Sequence, residues 1–428
     1  MDGGLVRAIL LRFRTGGSRV MRLSKWVAIW GVSVAVHSSL PARAQQPADG
    51  QPSAKIQAID AAGDMGPKGA ASVASLVTAL ADSSAAVRWH AARALGAIGP
   101  QAAPAVGDLT KTLTDQDAKV RAYSAFALGR IGAASKPAVT ALVTAVKDAD
   151  AGVRREALKA IALIGPGPDV AVPLFIDVLS TAQPEEVALV LHSLVEFGEP
   201  IVPRLIKALE HEKARYWVCL VVGDLGPKAK LAVGAIAKIL SDPNVEVRRE
   251  ALIALGHIGP DAASAAAAVV PLLDDQDQTV RPAAAWALGA MGAPARSVLP
   301  ALEAKASDPD PVLAMVCSWA VARLDPTNGA ARQRAFQKLA AGIEHDQPRI
   351  RAAAIHGLAD LQIDDPSLVS LFVAALDDAD SSVVGIAIRA LVGLGSKSVA
   401  PLTQALGDEN LRGPAAVALA QIGPPAAS

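Results

Sequence analysis

His192 and Glu196 stand four residues apart, so on a helix they share one face and could grip a metal ion from two sides. A third ligand is missing, because His257 lies two structural repeats further along, and a hydrogen-bonded i,i+4 pair explains the spacing equally well. Asp-x-Asp pairs at 115/117, 148/150 and 275/277 have a calcium-like look, yet they recur at fixed intervals where helices are expected to begin. Cys219 and Cys317, the only thiols, belong to neither a C-x-x-C nor a C-x-x-C-H, and read as small buried apolar residues too far apart for a disulfide. G-x-S-x-G, Walker A, H-E-x-x-H and EF-hand signatures are absent. The residues therefore nominate no catalytic group, no cofactor and no metal site.

The elements that would position such residues come from a repeat. VRWHAARALGAIG at 87–99 recurs as VRAYSAFALGRIG at 120–132, VRREALKAIALIG at 153–165, VRREALIALGHIG at 247–259 and VRPAAAWALGAMG at 280–292. Weaker copies end at Gly66, Gly198, Gly226, Asp325, Leu361, Gly395 and Gly423, mostly 33 residues apart, with two intervals of 28. Three residues before the V position come Ser84, Asp117, Asp150, Asn244, Asp277, Asp310, Asp380 and Asp408, as N-caps for the orphan N–H groups of a first turn. Pro184, Pro311 and Pro348 fit position N1. The closing glycine predicts a left-handed C′ residue, and Pro100, Pro166, Pro227, Pro260 or Pro424 then stops the helix. Between motifs, apolar residues at i, i+3 and i+4, as in 137–146 and 203–209, predict one outer helix. Two short helices cannot bury their faces alone; stacked copies can. The expected fold is all-α, an α-α superhelix of about 11–12 two-helix repeats over residues 54–428.

On these residues the chain resembles HEAT-repeat proteins, specifically the phycobilisome-lyase-type (PBS lyase) HEAT-like subfamily, whose hallmark is D-x-x-V-R-x-x-A-A-x-A-L-G-x-I-G. The resemblance covers roughly 54–425 and implies an Asp–Arg ladder between neighbouring repeats. It maps onto Asp117, Asp150 and Asp277 with Arg88, Arg121, Arg154, Arg248 and Arg281, and breaks near Val187 and Leu313, where the arginine is missing. The resemblance also raises an enzymatic alternative, a metal-dependent oxidoreductase of the deoxyhypusine hydroxylase type. That family's di-iron site uses His-Glu pairs directly after V-R. The matching pairs here are Trp89-His90, Ala122-Tyr123, Arg155-Glu156, Tyr216-Trp217 and Arg249-Glu250, none of them His-Glu, which disfavours that reaction. Bilin attachment is implied by the lyase name alone and is not carried by the repeat.

Composition narrows the remaining classes. Hydrophobic residues reach 52% with only 3% aromatic, an alanine-rich balance suited to thin layers of closely approaching helices. Net charge is zero, but residues 1–44 hold seven of the 41 basic residues and one of the 41 acidic ones, leaving 34 against 40 and a net of −6. An acidic array lacks the basic footprint of general nucleic-acid binding. Arg22 and Lys25 precede the apolar run Trp26–Val36, and Ala42-Arg43-Ala44 follows. Residues 1–44 are therefore expected to be a signal peptide, with Met21 as an alternative start, 45–53 a linker, and the product periplasmic or secreted without a retained membrane anchor.

Within the motif, positions 1, 5, 8, 9 and 12 should be buried, and positions 3, 7 and 11 should form an opposite stripe on a concave face. The stripe comprises Trp89, Arg93, Phe126, Arg130, Arg155, Lys159, Tyr216, Arg249, His257, Trp286, Trp319 and Arg323, together with His192, Glu196 and Asp224. Trp, Tyr and Arg are the types enriched at binding hot spots, although the same rings could tuck between helices as core. The function expected from sequence is a non-enzymatic protein–protein interaction scaffold or adaptor holding a protein or extended peptide along this stripe. Its oligomeric state is left open.

Overall fold

The computed structural model describes residues 53–179, 190–191, 194–363 and 365–423. The expected signal peptide, residues 45–52 of the linker, Pro184, His192 and Pro424 lie outside the described residues. The described residues are mostly helical, with no strand among them, and divide into two compact units, one up to residue 196 and one from residue 197.

In the first unit, helices Ala54–Asp64, Ala85–Ile98, Ala118–Ile131 and Ala151–Ile164 pack side by side in chain order. In the second, Glu212–Leu225, Val245–Ile258, Val280–Met291 and Pro311–Leu324 do the same, followed by Pro348–Leu361, Ser381–Leu394 and Arg412–Ile422. Each unit is an α-solenoid. The expected buried positions are buried: Val87, Ala91, Ala94, Leu95 and Ile98 in one helix, Val120, Ser124, Ala127, Leu128 and Ile131 in the next. Positions 6 and 10 are buried too, as Ala92 with Gly96 and Ala125 with Gly129. A helix with a neighbour on each side and an outer partner behind it has three faces to cover, not one.

The caps refine the expectation. Asp117, Asp150, Asn244, Asp310 and Asp380 each accept first-turn N–H groups. Ser84 does not, although it holds the N-cap position. Asp277 accepts from Thr279 N, but the helix begins only at Val280, because Pro282 has no N–H to close the turn before it. The closing glycines have positive φ, as expected, but only Gly165 is left-handed α (φ 63°, ψ 60°). Gly99, Gly132 and Gly259 pair φ near 75° with ψ near −136°, a region glycine alone enters readily. That geometry turns the chain straight into a 3₁₀ segment. After such a glycine the outer element is two pieces, such as Gly132–Ala138 in 3₁₀ form and then α-helix Val139–Ala145, whereas Pro168–Leu179 and Gly329–Gly342 are each one helix.

Candidate interaction surface

The arginine ladder forms, on different acids from those the resemblance implied. Arg88 grips Asp115 with Nε at 2.7 Å and Nη2 at 2.8 Å, and Arg121 grips Asp148 with the same two distances. Arg248 holds Asp275 at 2.8 Å through both nitrogens, and Arg351 holds Asp378 at 2.6 and 2.7 Å. Each acceptor lies 27 residues after its arginine. Two residues further on, Asp117, Asp150 and Asp380 cap helices and Asp277 binds Thr279 N just ahead of its helix, while the first acid of each Asp-x-Asp pair receives the previous repeat's guanidinium. That first carboxylate also accepts the backbone N–H of the second, at 2.9 Å for Asp115 and 2.8 Å for Asp148. Both jobs are structural, which explains the repeating pairs without a cation. The arginine bond, more than any other influence, holds Asp115 and Asp148 below the usual carboxylate range.

Arg215 joins the ladder through Asp242 at 2.7 Å, and neither it nor Arg351 follows a valine, so the V-R motif concealed both. Arg281 leaves it: its Nε donates to the Asp275 carbonyl at 2.6 Å. The expected break near Leu313 is present, with Ala314 at the arginine position and His345, whose Nδ1 accepts from Gln347 N at 3.1 Å, at the acid position.

The twelve stripe residues divide among three fates. Trp319 (7% exposed) and Arg249 (8% exposed) are inside the fold, which corrects their expected place on an open stripe. Trp319 lies over Gly289, where an added Cβ would come within 2.4 Å of Cζ3, and its indole N–H donates to Asp360 at 3.1 Å. Arg323 Nε stands 3.3 Å from the same carboxylate. Arg249 pairs with Glu246 on its own helix. Trp286 covers Gly256 and Phe126 covers Gly96 in the manner of Trp319. These glycines admit a ring from the next repeat where any side chain would collide. The sequence carried that signal as a glycine at position 10 followed 30 residues later by an aromatic at position 7.

A second group is half-exposed and tied to neighbours. Trp89 stacks on His90 with ring centroids 3.5 Å apart and on Tyr123 at 5.2 Å. Asp60 Oδ1 accepts from Arg93 Nη2 at 2.8 Å and lies 2.6 Å from His90 Nδ1. Burial, opposed by that carboxylate, lowers the His90 pKa. His90 and Tyr123 did not figure in the stripe, because they stand at position 4 rather than position 3, and Asp60, at position 7, belongs to the weaker first copy, from which no stripe residue was taken. Lys159 bends to Glu156 at 3.0 Å, Tyr216 meets Trp217 edge-on at 4.9 Å, and the exposed His257 sits 5.3 Å from Trp286.

Arg130 and Arg155 form the third group and are open to solvent. Arg155 has only Glu156, 3.9 Å away, and Arg130 has no hydrogen bond or ion pair among the described residues. Glu196 is exposed as well. Among the described residues no three His, Cys, Asp or Glu side chains converge as metal ligands. Cys219 and Cys317 are buried free thiols, the latter pushed up to about 12 by burial, so both are poor nucleophiles.

Side-by-side two-helix repeats, tied edge to edge and showing a row of side chains to solvent, define an α-solenoid of the repeat-protein class. A family model of HEAT repeats matches residues 40–112, 106–194 and 233–322, and the chain belongs to that family. No curated protein matches it in sequence. Among solved structures it is similar to Kap95p, studied for binding to RanGDP, with 15% identity and a TM-score of 0.54 over 86% of this chain and 58% of that one. Kap95 in its complex with Nup1 gives 15% identity and a TM-score of 0.53 over 87% and 60%. Kap95p is yeast importin-beta. The chain thus spans less than two thirds of either, and at such identities the likeness is one of fold alone. An engineered protein, 21% identical over 86% of this chain and 94% of its own, superimposes with a TM-score of only 0.29 and carries no argument.

Proposed function

We propose that this chain is a non-enzymatic interaction scaffold that holds a protein or an extended peptide across consecutive repeats. The observation that carries this reading is the row of the first unit, where Arg130 and Arg155 reach solvent and Trp89 is half-exposed. Ladder arginines are all engaged; Arg130 has no partner among the described residues and Arg155 only Glu156 at 3.9 Å, and cations so little held on an ordered face suit recognition of another surface. Kap95 offers a precedent in fold, since it is found in complex with Nup1. The finer placement among phycobilisome-lyase-type repeats rests on the recurring D-x-x-V-R…A-L-G-x-I-G motif. Export to the periplasm or beyond rests on the Trp26–Val36 run and Ala42-Arg43-Ala44, and a cleaved N-terminus at Gln45 would support it.

The test is site-specific photo-crosslinking in the exported compartment, with the crosslinker placed at residue 155 or, as control, at buried Leu128. A defined adduct at 155 and none at 128 is expected, and the Trp89→Ala/Arg130→Glu double variant should lose it. An adduct unchanged in that variant, or none at either position, refutes the assignment.

A further inference from the structure

Three position-10 glycines are covered by a ring from the next repeat: Gly96 by Phe126, Gly256 by Trp286 and Gly289 by Trp319. No ring covers Gly63, which meets Ala94 and whose ring position holds Arg93, bonded to Asp60, nor Gly129. The residue that would supply a ring to Gly129 is Lys159, whose ammonium turns away to Glu156 at 3.0 Å. Ala160 packs closest to Gly129, its Cα 2.8 Å from where a Cβ would stand; Leu163 reaches the same place with Cδ1 at 3.4 Å yet remains 60% exposed. An open cleft of about 510 Å³ lies here, lined by Gly129, Arg130, Gly132, Leu163 and Pro100. That volume falls in the ~300–1,000 Å³ range of ligand sites. Its floor is apolar, and the one cation on its wall, Arg130, is exposed and has no partner among the described residues.

We infer that this cleft is a docking site for an aromatic side chain followed directly by an acidic residue, in an extended segment of a partner protein. The inference rests on the scaffold reading and names the partner's chemistry. The ring lies against Gly129, Leu163 and Pro100, standing in trans where other repeats place a ring in cis. Its apolar surface leaves water, which favours the bound state. The adjoining carboxylate meets Arg130, whose planar fork suits a bidentate pair. A basic residue there would face Arg130 and be rejected, so the cleft selects by charge as well as by size.

The probes are nine-residue peptides with a central Phe-Glu, Phe-Gln, Phe-Lys or Ala-Glu pair, titrated against the full chain by fluorescence anisotropy. Phe-Glu should bind best, with Phe-Lys and Ala-Glu at least about tenfold weaker. Arg130→Glu should invert the preference toward Phe-Lys. Lys159→Phe, which supplies the missing ring from within the chain, should weaken Phe-Glu binding about tenfold or more. Both substitutions fall on solvent-accessible side chains, and an unchanged circular dichroism melt confirms folding. Lys68→Glu, at an exposed position of the same unit off the row and outside the cleft, should change Phe-Glu affinity less than about threefold. Equal binding of Phe-Glu and Phe-Lys, no binding by any peptide, or indifference to both cleft variants overturns the inference. Should the residue-155 adduct survive Arg130→Glu and Lys159→Phe singly but vanish in the Trp89→Ala/Arg130→Glu double variant, the docking chemistry is wrong while the scaffold stands. Absence of the adduct in the unaltered chain removes the scaffold itself.

Discussion

Residues 85–150 and residues 280–350 solve the same problem, holding one repeat in register with the next, by different physics. In the first stretch Arg88 and Arg121 each take a carboxylate of the following repeat bidentately, with side chains only 12–17% exposed. In the second stretch Arg281 turns to its own turn, Ala314 replaces an arginine and His345 an aspartate. There Trp319 is pressed onto Gly289 and bonded to Asp360, and Met315 fills the space beside Gly342. The first solution is electrostatic and the second is packing. The difference teaches that the ladder is replaceable wherever a large side chain can cross between helices.

The largest effect should come from removing the crossing ring. Trp319→Ala empties a buried site and takes the indole donor from Asp360, so a loss of about 3–5 kcal/mol is expected from urea unfolding followed by circular dichroism. Added salt should leave that loss unchanged. Next comes Gly289→Ala, whose Cβ would lie 2.8 Å from Ala320 Cα as well as against the indole, for an expected cost of about 1–3 kcal/mol. The same change at Gly393, with nothing within 4 Å, should cost nothing or stabilise slightly. Equal effects at both glycines would erase the distinction between a packed contact and an open helix face.

Arg121→Ala tests the other solution. Losing a part-buried bidentate pair should cost about 1–2 kcal/mol. That cost should shrink in 1 M salt, where screening reaches within ~3 Å, unlike the tryptophan variant's. The smallest expected effect is the pH dependence. Asp115, Asp148 and Asp378 have folded values below their unfolded ones, chiefly through their arginine bonds. Their contribution is complete above the ordinary carboxylate range near pH 4 and disappears as pH falls through the lowered values. Melting temperature should thus drop on acidification below about pH 4, less steeply in Asp148→Asn. His90 acts in a higher window. With its folded value lowered, its neutral form is favoured, and stability should decline as pH falls below about 6.5, a slope that His90→Gln abolishes.

Much of the architecture was legible because the period repeats every signal many times: valine at position 1, Ala-Leu at 8–9, and a glycine whose backbone must turn. The ladder acids were misassigned for a physical reason. In Asp-x-Asp either carboxylate can cap a helix, and only the arginine's reach decides which one is left for the neighbour. The stripe was half legible. Helical geometry placed Arg130 and Arg155 in solvent but said nothing of Gly256 and Gly289, which let rings pass between helices and drew Trp286 and Trp319 toward the core. The cleft at Gly129 is invisible in any single repeat. It appears when Lys159 is compared with the ring-bearing residues at the same position elsewhere.

Each ladder guanidinium also binds its own turn, as Arg121 does through the carbonyls of Asp115 at 2.9 Å and Gln116 at 3.1 Å, while its free edge faces only the repeat ahead. The joint is therefore directional, a plug at one rim and a socket at the other. Excising one whole period, for instance residues 118–150, would remove Arg121 together with its socket Asp148 and leave Arg88 on Asp115, and the seam would close on itself. Excising a fraction of a period would leave a plug against a plain wall. The array can be shortened or lengthened only in whole copies, like a tiled course laid in one direction.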